Sequence, residues 1–266
     1  MKKRVLSAII LLAIFIPILI IGGKVYAITL ALLSVCGMYE MINVRETKKE
    51  FPFMMKVISY LMVLFFCLGN YSSNDFIYNI DYRVMAFLVF VFLVPLVFIN
   101  DSNKYNINDA LFLIGSTLFI GLSFNLLILV RNYELTYIIY LFLITICTDT
   151  FAFFTGKLIG KTKLIPTISP NKTVEGLIGG TVAGVMVASS YYHIVINPSY
   201  SIVNIVLLTI VLSLIGQVGD LVFSDIKRYY GKKDFSKIIP GHGGVLDRLD
   251  SIIFVVLTFV LFINIL

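Results

Sequence analysis

A charged, glycine-rich segment from Ser224 to Asp250 carries the residues whose types and spacing best suit chemistry. It lies between two long apolar runs and contains six of the chain's lysines and arginines, several aspartates and a Gly-His-Gly-Gly turn, although only 14% of the whole chain is charged. Charged groups are costly to hold beside hydrocarbon, so such a segment needs a functional reason.

Two aspartates, one just before this segment and one near its end, predict a magnesium site. Asp220 and Asp247 are flanked by glycine and basic residues. Magnesium prefers hard oxygen ligands and is commonly held by one or two carboxylates together with substrate phosphates. The alternative is structural, because Asp220, Asp247 and Asp149 could instead pair with lysines or arginines of neighbouring loops or cap helix ends.

The cations and glycines of the segment predict phosphate binding. Basic side chains supply positive charge, and glycines let backbone N–H groups approach an anion closely. A solvated basic loop near anionic lipid headgroups is the alternative. We expect His242 to donate a hydrogen bond rather than act as a base, because a phosphate monoester is already anionic near neutral pH. The residues in question are Lys227, Arg228, Lys232, Lys233, Arg248, Gly241, Gly243 and Gly244.

A second polar segment, Ser169 to Glu175, precedes another apolar run. Thr173 followed by Glu175 is compatible with ordinary helix capping. Lys172 and Thr173 at a helix N-terminus would also suit an anionic ligand. Further along, small residues recur every four positions and predict a close helix contact, either inside the protein or in a homodimer, at Gly176, Gly180 and Gly184.

The composition is that of an integral membrane protein. The 266 residues are 59% hydrophobic, and the mean hydropathy is +0.97. Soluble domains are roughly half apolar. The three cysteines all lie in apolar runs, which favours packing over disulfides or zinc. The net charge of +6 is attributed to membrane orientation rather than to nucleic-acid binding.

Apolar windows long enough to cross a bilayer predict an all-α, polytopic helical bundle of about nine spans. Pro17 and Pro95 are expected to kink their helices. We expect a single integral membrane domain, with N-terminal helices over 1–134 and catalytic helices and loops over 135–266. The predicted spans are 5–21, 24–42, 54–69, 84–99, 107–130, 135–154, 174–195, 201–223 and 251–266.

The distribution of cations predicts that the N-terminus is cytoplasmic. With that orientation 18 of the 21 lysines and arginines fall on the cytoplasmic side, and only Lys24, Arg83 and Arg131 lie outside. The external connections, around 70–81, 132–134 and 197–199, are short and polar. Five carboxylates then share one depth at the cytoplasmic boundary, namely Asp149, Glu175, Asp220, Asp247 and Asp250.

The motifs of the second half resemble those of phosphatidate cytidylyltransferases, also called CDP-diacylglycerol synthases. The resemblance covers about residues 145 to 250. It departs at Phe153, where many relatives have tyrosine, and at Asn171, where several have lysine. The matching motifs are Asp149-Thr150-x-Ala152, Gly156-Lys157, Ser169-Pro170-x-Lys172-Thr173, Gly219-Asp220, Ser224-x-x-Lys227-Arg228, Lys233-Asp234, Pro240-Gly-His-Gly-Gly244 and Asp247-Arg-x-Asp250.

The resemblance implies transfer of a cytidylyl group from CTP to phosphatidic acid at the inner face of the cytoplasmic membrane. It implies Mg²⁺ ligation by Asp220, Asp247 and Asp250, with a second cation left open. The residues implied in catalysis and phosphate binding are Lys227, Arg228, Lys233, Asp234, His242 and Arg248. Those implied in substrate binding are Asp149, Ser169, Lys172, Thr173, Ser224, Gly243 and Gly244.

Two other classes of protein compete with this interpretation. The first is another membrane enzyme that uses a nucleotide and a lipid, such as a lipid kinase or a CDP-alcohol phosphotransferase. The Asp-Gly-x-x-Ala-Arg motif of the latter is absent from the sequence. The second is a cation-coupled transporter, which is disfavoured because the acids cluster at one face rather than at the midplane.

Overall fold

Long apolar runs joined by short polar connections form helices, because a helix satisfies every backbone hydrogen bond within its own segment. The computed structural model describes residues 2–69 and 82–262. Over these residues the helices are α1 (Lys2–Ile21), α2 (Gly23–Arg45), α3 (Phe53–Leu68), α4 (Tyr82–Leu93), α5 (Pro95–Ile99), α6 (Ile107–Tyr133), α7 (Leu135–Ile159), α8 (Val174–Tyr191), α9 (Ile202–Tyr229) and α10 (Leu246–Phe262).

Each predicted apolar window is helical where it is described, which confirms the all-α class. Pro95 divides the fourth window into α4 and α5, since proline cannot donate to the preceding turn. Pro17 lies within α1, which continues to Ile21. A π-helical turn, Tyr192–Ile196, extends α8. The external connection predicted at 70–81 and the last four residues of the ninth window lie outside the described residues.

Six helical segments of the described chain are long and apolar enough to cross a membrane. They are Gly23–Arg45, Tyr82–Ile99, Ile107–Tyr133, Leu135–Ile159, Val174–Ile196 and Ile202–Tyr229. Those segments make the chain a multi-pass membrane protein. The predicted count of nine spans is not confirmed, because the apolar parts of α1 and α3, Ile9–Ile21 and Phe53–Leu68, are shorter and α10 is not among these segments.

The chain forms two compact units. One comprises Met1–Tyr133 with Asp234–Leu246, and the other comprises Glu134–Lys233 with Asp247–Leu266. The break after Tyr133 lies one residue before the expected boundary between N-terminal and catalytic helices, which followed residue 134. The segment 234–246 belongs to the first unit, which the sequence did not indicate. That the two units form a single membrane domain stays a prediction.

In the first unit, hydrogen bonds and ion pairs connect α6 to α1 and α2. The Arg131 guanidinium donates to the carbonyl oxygens of Leu19 and Ile20, at 2.8 and 2.7 Å, and so satisfies the C-terminal end of α1. Asp109, which is 1% exposed, accepts from Arg45 at 2.8 Å and from Lys49. These contacts link α6 to α1, to α2 and to the loop that follows α2.

In the second unit, α7 and α8 pack closely through the predicted glycine stripe. A methyl group at Gly180 would lie 2.5 Å from the Thr148 carbonyl oxygen, and one at Gly184 would lie 2.3 Å from the Thr148 hydroxyl. Only glycine allows these backbones to approach so closely. The stripe therefore serves a contact inside this unit.

A short antiparallel hairpin, β1 (Lys163–Ile165) and β2 (Ser169–Thr173), joins α7 to α8 and was not predicted. Lys163 lies opposite Thr173, and Ile165 lies opposite Ser169. Alternating isoleucine and threonine around a proline favour such a turn. The hairpin delivers Lys172 and Thr173 to the N-terminus of α8.

Candidate active site

Helix α9 presents three of the predicted site residues on one face. Asp220, Ser224 and Lys227 are four and three residues apart, which places them on successive turns of the same side. The Ser224 hydroxyl donates to Asp220 Oδ1 at 3.3 Å. This face of α9 is the element around which the other site residues of the second unit gather.

The hairpin brings a lysine to the first of these residues. Lys172 Nζ lies 2.6 Å from Asp220 Oδ2. It also donates to the Gln217 carbonyl oxygen, at 3.5 Å. Each side chain of this ion pair is 28% exposed, so the pair is only partly buried within the protein.

The second lysine–aspartate pair is more deeply buried. Lys227 Nζ lies 2.6 Å from Asp247 Oδ1, and the two side chains are only 9% and 5% exposed. Asp247 is in the first turn of α10, where a carboxylate is favoured by the helix dipole. This pair links the end of α9 to the beginning of α10.

Two further aspartates lie near the same face. The Ser251 hydroxyl donates to Asp149 Oδ2 at 3.4 Å, and the Ser251 backbone N–H donates to Asp250 Oδ1 at 2.8 Å. Asp149, Asp220 and Asp250 also repel one another electrostatically. Within the described chain neither Asp149 nor Asp250 forms an ion pair. Helices α7, α9 and α10 thus bring three mutually repelling carboxylates together.

A narrow crevice adjoins Asp149. It is too small to admit a water molecule, and Asp149 lies on its wall. Hydroxyl and amide groups line much of the rest, and one of their contacts joins Thr148 Oγ1 to Ser213 Oγ at 2.8 Å. The polar part of the lining consists of Thr145, Thr148, Asp149, Ser213, Gln217 and Ser251.

The donor set is compatible with magnesium, but it does not form a complete cage. In the described part of the chain, no three His, Cys, Asp or Glu side chains are arranged as a metal-binding group. Asp220, Asp247 and Asp250 nevertheless offer hard carboxylate oxygens, and the mutual repulsion of Asp220 and Asp250 would be relieved by a cation. Magnesium sites of one or two carboxylates rely on substrate phosphates for further ligands.

The Gly-His-Gly-Gly turn lies in the other unit. Asp234, His242, Gly243 and Gly244 belong to the first unit, whereas the aspartates and lysines above belong to the second. The turn is closed by a hydrogen bond of 2.9 Å from Ile239 N to the Gly243 carbonyl oxygen. Gly243 has a φ of 85°, a conformation that glycine adopts without strain. A phosphate-binding role for this turn stays a prediction.

Several predicted residues make structural contacts instead of, or besides, site contacts. Thr173 is the N-cap of α8, and its hydroxyl accepts from Gly176 N at 3.1 Å. Glu175 does not join the other acids but accepts from the Thr162 backbone N–H at 3.0 and 3.2 Å. Glu175 therefore holds the start of the hairpin, and the shared membrane depth of the five carboxylates stays a prediction.

The remaining basic residues lie around the hairpin and the end of α9. The Arg228 guanidinium donates to the carbonyl oxygens of Ile168, at 3.3 Å, and Lys232, at 2.9 Å. Lys233 and Arg248 are exposed, and Ser169 is half-buried at the start of β2. Their predicted roles in binding phosphate or nucleotide stay predictions.

The sequence did not single out Glu40, which is fully buried in α2 and contacts the 236–246 segment. A carboxylate inside an apolar window was the available signal, because such residues are costly and need partners. Its partners could not be inferred, since they lie about two hundred residues further along the chain.

Comparison with known proteins agrees with this arrangement of motifs. A model of the cytidylyltransferase family matches residues 2–266, and the chain belongs to that family. It is 38% identical over 256 residues to the phosphatidate cytidylyltransferase of Staphylococcus haemolyticus (strain JCSC1435). It is 37% identical over 255 residues to that of Staphylococcus saprophyticus and 38% identical over 256 residues to that of Staphylococcus aureus (strain COL). Each alignment covers 96% of both chains.

Proposed function

We propose that this protein is a phosphatidate cytidylyltransferase, which converts CTP and phosphatidic acid into CDP-diacylglycerol and pyrophosphate for phospholipid synthesis. Relatives that bear this name match the chain over 96% of its length. Pairing with Lys172 and Lys227 is the structural alternative for Asp220 and Asp247, so the observation that carries the proposal is that Asp149 and Asp250 gather beside these pairs within one unit. Carboxylates suit a metal ion and ammonium groups suit phosphates, as a nucleoside triphosphate with its metal ion requires.

In the proposed reaction, a phosphate oxygen of phosphatidic acid attacks the α-phosphorus of CTP. A new P–O bond forms, the bond from the α-phosphorus to the bridging oxygen breaks, and pyrophosphate leaves with that electron pair. Lys172 is accessible and would bind an incoming phosphate. Lys227 is held at the end of α9 and would stabilise charge that develops on the transferring group.

Magnesium would be held by Asp220, Asp247 and Asp250, and when bound it would neutralise phosphate charge. The grouping of Asp149, Asp220 and Asp250 supports a bound cation, because a cation would offset the repulsion among these carboxylates. Both lysines would exchange part of their contact with aspartate for contact with phosphate. His242 would donate a hydrogen bond to a phosphate oxygen.

We place the site at the cytoplasmic side of the cell's inner membrane. The basis is the excess of lysine and arginine in the segments that carry the site. A lipid substrate enters from the bilayer and CTP enters from water, so a site at this boundary admits both. The glycine stripe gives no reason to propose a homodimer, because α7 covers it.

The test uses purified protein in detergent micelles that contain phosphatidic acid, with Mg²⁺ and α-labelled CTP. We expect pyrophosphate release and label in the lipid product in equal amounts. A lipid kinase would instead release a nucleoside diphosphate, and a CDP-alcohol phosphotransferase would consume CDP-lipid and release CMP. If neither product forms in micelles that support a staphylococcal relative, the proposal is wrong and a transporter becomes the better interpretation.

A further inference from the structure

The side chain of Glu40 is fully buried within α2, a helix to which no site residue had been assigned. Its carboxylate accepts three hydrogen bonds from one distant segment. The donors are Val245 N at 2.8 Å, Leu246 N at 2.8 Å and Ser236 Oγ at 2.6 Å. Burying a carboxylate is costly unless it is hydrogen-bonded, so these contacts are needed to keep it in place.

Glu40 lies so close to this segment that only glycine fits at position 244. A methyl group placed on Gly244 would lie 2.4 Å from Glu40 Oε1, so any larger residue would displace the carboxylate. Between the two attachment points, His242 N donates to the Ile239 carbonyl oxygen at 2.9 Å. The segment from Ser236 to Leu246 is therefore a folded turn that is fastened to Glu40 at both ends.

Glu40 also occupies the N-terminus of α10. Leu246 is the first residue of that helix, and its N–H has no acceptor within the helix. A carboxylate is the preferred partner there, because the first N–H groups of a helix carry partial positive charge. Glu40 thus caps α10 from a helix that precedes it by about two hundred residues.

We propose that Glu40 is a positioning residue that fixes both the Gly-His-Gly-Gly turn and the first residue of α10, directly ahead of Asp247. This inference rests on the proposed function, which assigns phosphate binding to that turn and metal binding to Asp247. Glu40 would not touch substrate. It would act by holding the donors of the turn in one arrangement before the nucleotide binds.

The test compares Glu40→Gln with Glu46→Gln. Glu46 is a matched control because it lies at the end of the same helix and also accepts a backbone N–H, from Phe51 at 3.0 Å, but it contacts a different loop. The amide in Glu40→Gln keeps the size of the side chain and turns one acceptor into a donor. Glu40→Asp keeps the charge, so its cleavage rate at Lys237 and its turnover should lie between those of wild type and Glu40→Gln.

The first measurement is limited trypsin cleavage, which does not require an active enzyme. Trypsin cleavage after Lys237, which is exposed in the turn segment, is compared with cleavage after Lys104, an exposed site elsewhere in the same unit. We expect Glu40→Gln to raise the cleavage rate at Lys237 about tenfold, as loss of a hydrogen bond to a charged group implies. Cleavage at Lys104 should not change, and Glu46→Gln should leave both rates as they are.

The second measurement is turnover in the cytidylyl-transfer assay. Misplacing the turn should lower kcat roughly 100-fold in Glu40→Gln at temperatures where the protein stays folded. If cleavage at Lys237 and Lys104 rises in parallel, Glu40 supports the whole unit and the positioning role is wrong. Unchanged cleavage at Lys237 would also overturn it. If Glu40→Gln raises cleavage at Lys237 only, but the wild-type protein shows no cytidylyl transfer, then Glu40 does position the turn and the proposed enzymatic function is wrong.

Should Glu40→Gln fail to fold, Ser236→Ala provides a milder variant. It removes one of the three donors and keeps both backbone contacts with the carboxylate. We expect a smaller but still selective rise in cleavage at Lys237. Equal cleavage rates in Ser236→Ala and wild type would contradict the proposal.

Discussion

Lys227 Nζ lies 2.6 Å from Asp247 Oδ1, and both side chains are almost completely removed from solvent. A buried ion pair contributes little net stability, yet loss of one partner is strongly destabilising because the other charge stays buried. The pair joins α9 to α10. A pair that adds little net stability is therefore compatible with the proposed role of both charges in the site.

Replacing one partner should cost more stability than replacing both. Lys227→Met and Asp247→Asn alone should each lower the free energy of unfolding by about 3 kcal/mol. The double variant should recover part of that loss, since neither charge is then left without this partner. Thermal unfolding in detergent measures all three. Lys232→Ala, at an exposed lysine beyond the end of α9, is the control and should unfold near the wild-type temperature.

All three variants of the pair should be inactive, the partly restabilised double variant included. A double variant with substantial turnover would show that the pair has only a structural role.

Lys172 should matter for activity far more than for stability. Its ion pair with Asp220 is partly exposed, and such pairs contribute at most about 1 kcal/mol to folding. If Lys172 binds a phosphate of the reacting nucleotide, Lys172→Ala should lower turnover roughly 100-fold. Lys163→Ala is the matched control, because Lys163 is an exposed lysine of the same hairpin.

The comparison is made in the pyrophosphate assay together with thermal unfolding. Equal activity in Lys172→Ala and Lys163→Ala would remove Lys172 from the site.

Two variants of Thr173 can distinguish its role as a helix cap from its predicted role in substrate binding. Its hydroxyl caps α8, so Thr173→Ala should destabilise the protein by about 1 kcal/mol. Thr173→Ser keeps the cap and should keep the unfolding temperature. If Thr173→Ser is nevertheless strongly impaired in turnover, the threonine methyl group has a role in the site that capping does not explain.

The glycine stripe predicts a steric effect. Gly180→Ala would place a methyl group against the Thr148 backbone of α7, and overpacking of this kind costs about 1–3 kcal/mol. Gly115→Ala is the control, because no atom lies within 4 Å of the added methyl group. It should be neutral or stabilising, since alanine favours helix more than glycine does. Equal unfolding temperatures for the two variants would contradict the close packing of α7 on α8.

The helices were predictable because a long apolar run leaves few alternatives to a helix. Pro95 likewise predicted an interruption, and the structure has α4 and α5 at that position. Asp220 and Lys227 are seven residues apart, so helix geometry places them on one face of α9 once that helix is known. Their partners were harder to predict, because the pairing of Lys172 with Asp220 depends on a hairpin whose two strands are too short to show a periodic pattern.

The remaining features, which the sequence did not predict, depend on contacts between distant parts of the chain. The 234–246 segment was grouped with its sequence neighbours, but it packs in the unit of α2 and α3. Glu40 holds it there through backbone N–H groups, which every non-proline residue has. A sequence gives no sign of which backbone groups a buried carboxylate will contact.

The proposed orientation can be tested by labelling from one side of the membrane. Cys36, Cys67 and Cys147 are first replaced by serine, and a single cysteine is then introduced as Asn197→Cys or Lys232→Cys. Asn197 lies in a predicted external connection, and Lys232 lies in a predicted cytoplasmic one. In intact cells a membrane-impermeant maleimide should label the first variant only, and in inverted vesicles the second only. The reverse pattern would place the aspartates and lysines of the site on the outer face, where CTP is not supplied, and would contradict the enzyme's proposed access to its nucleotide.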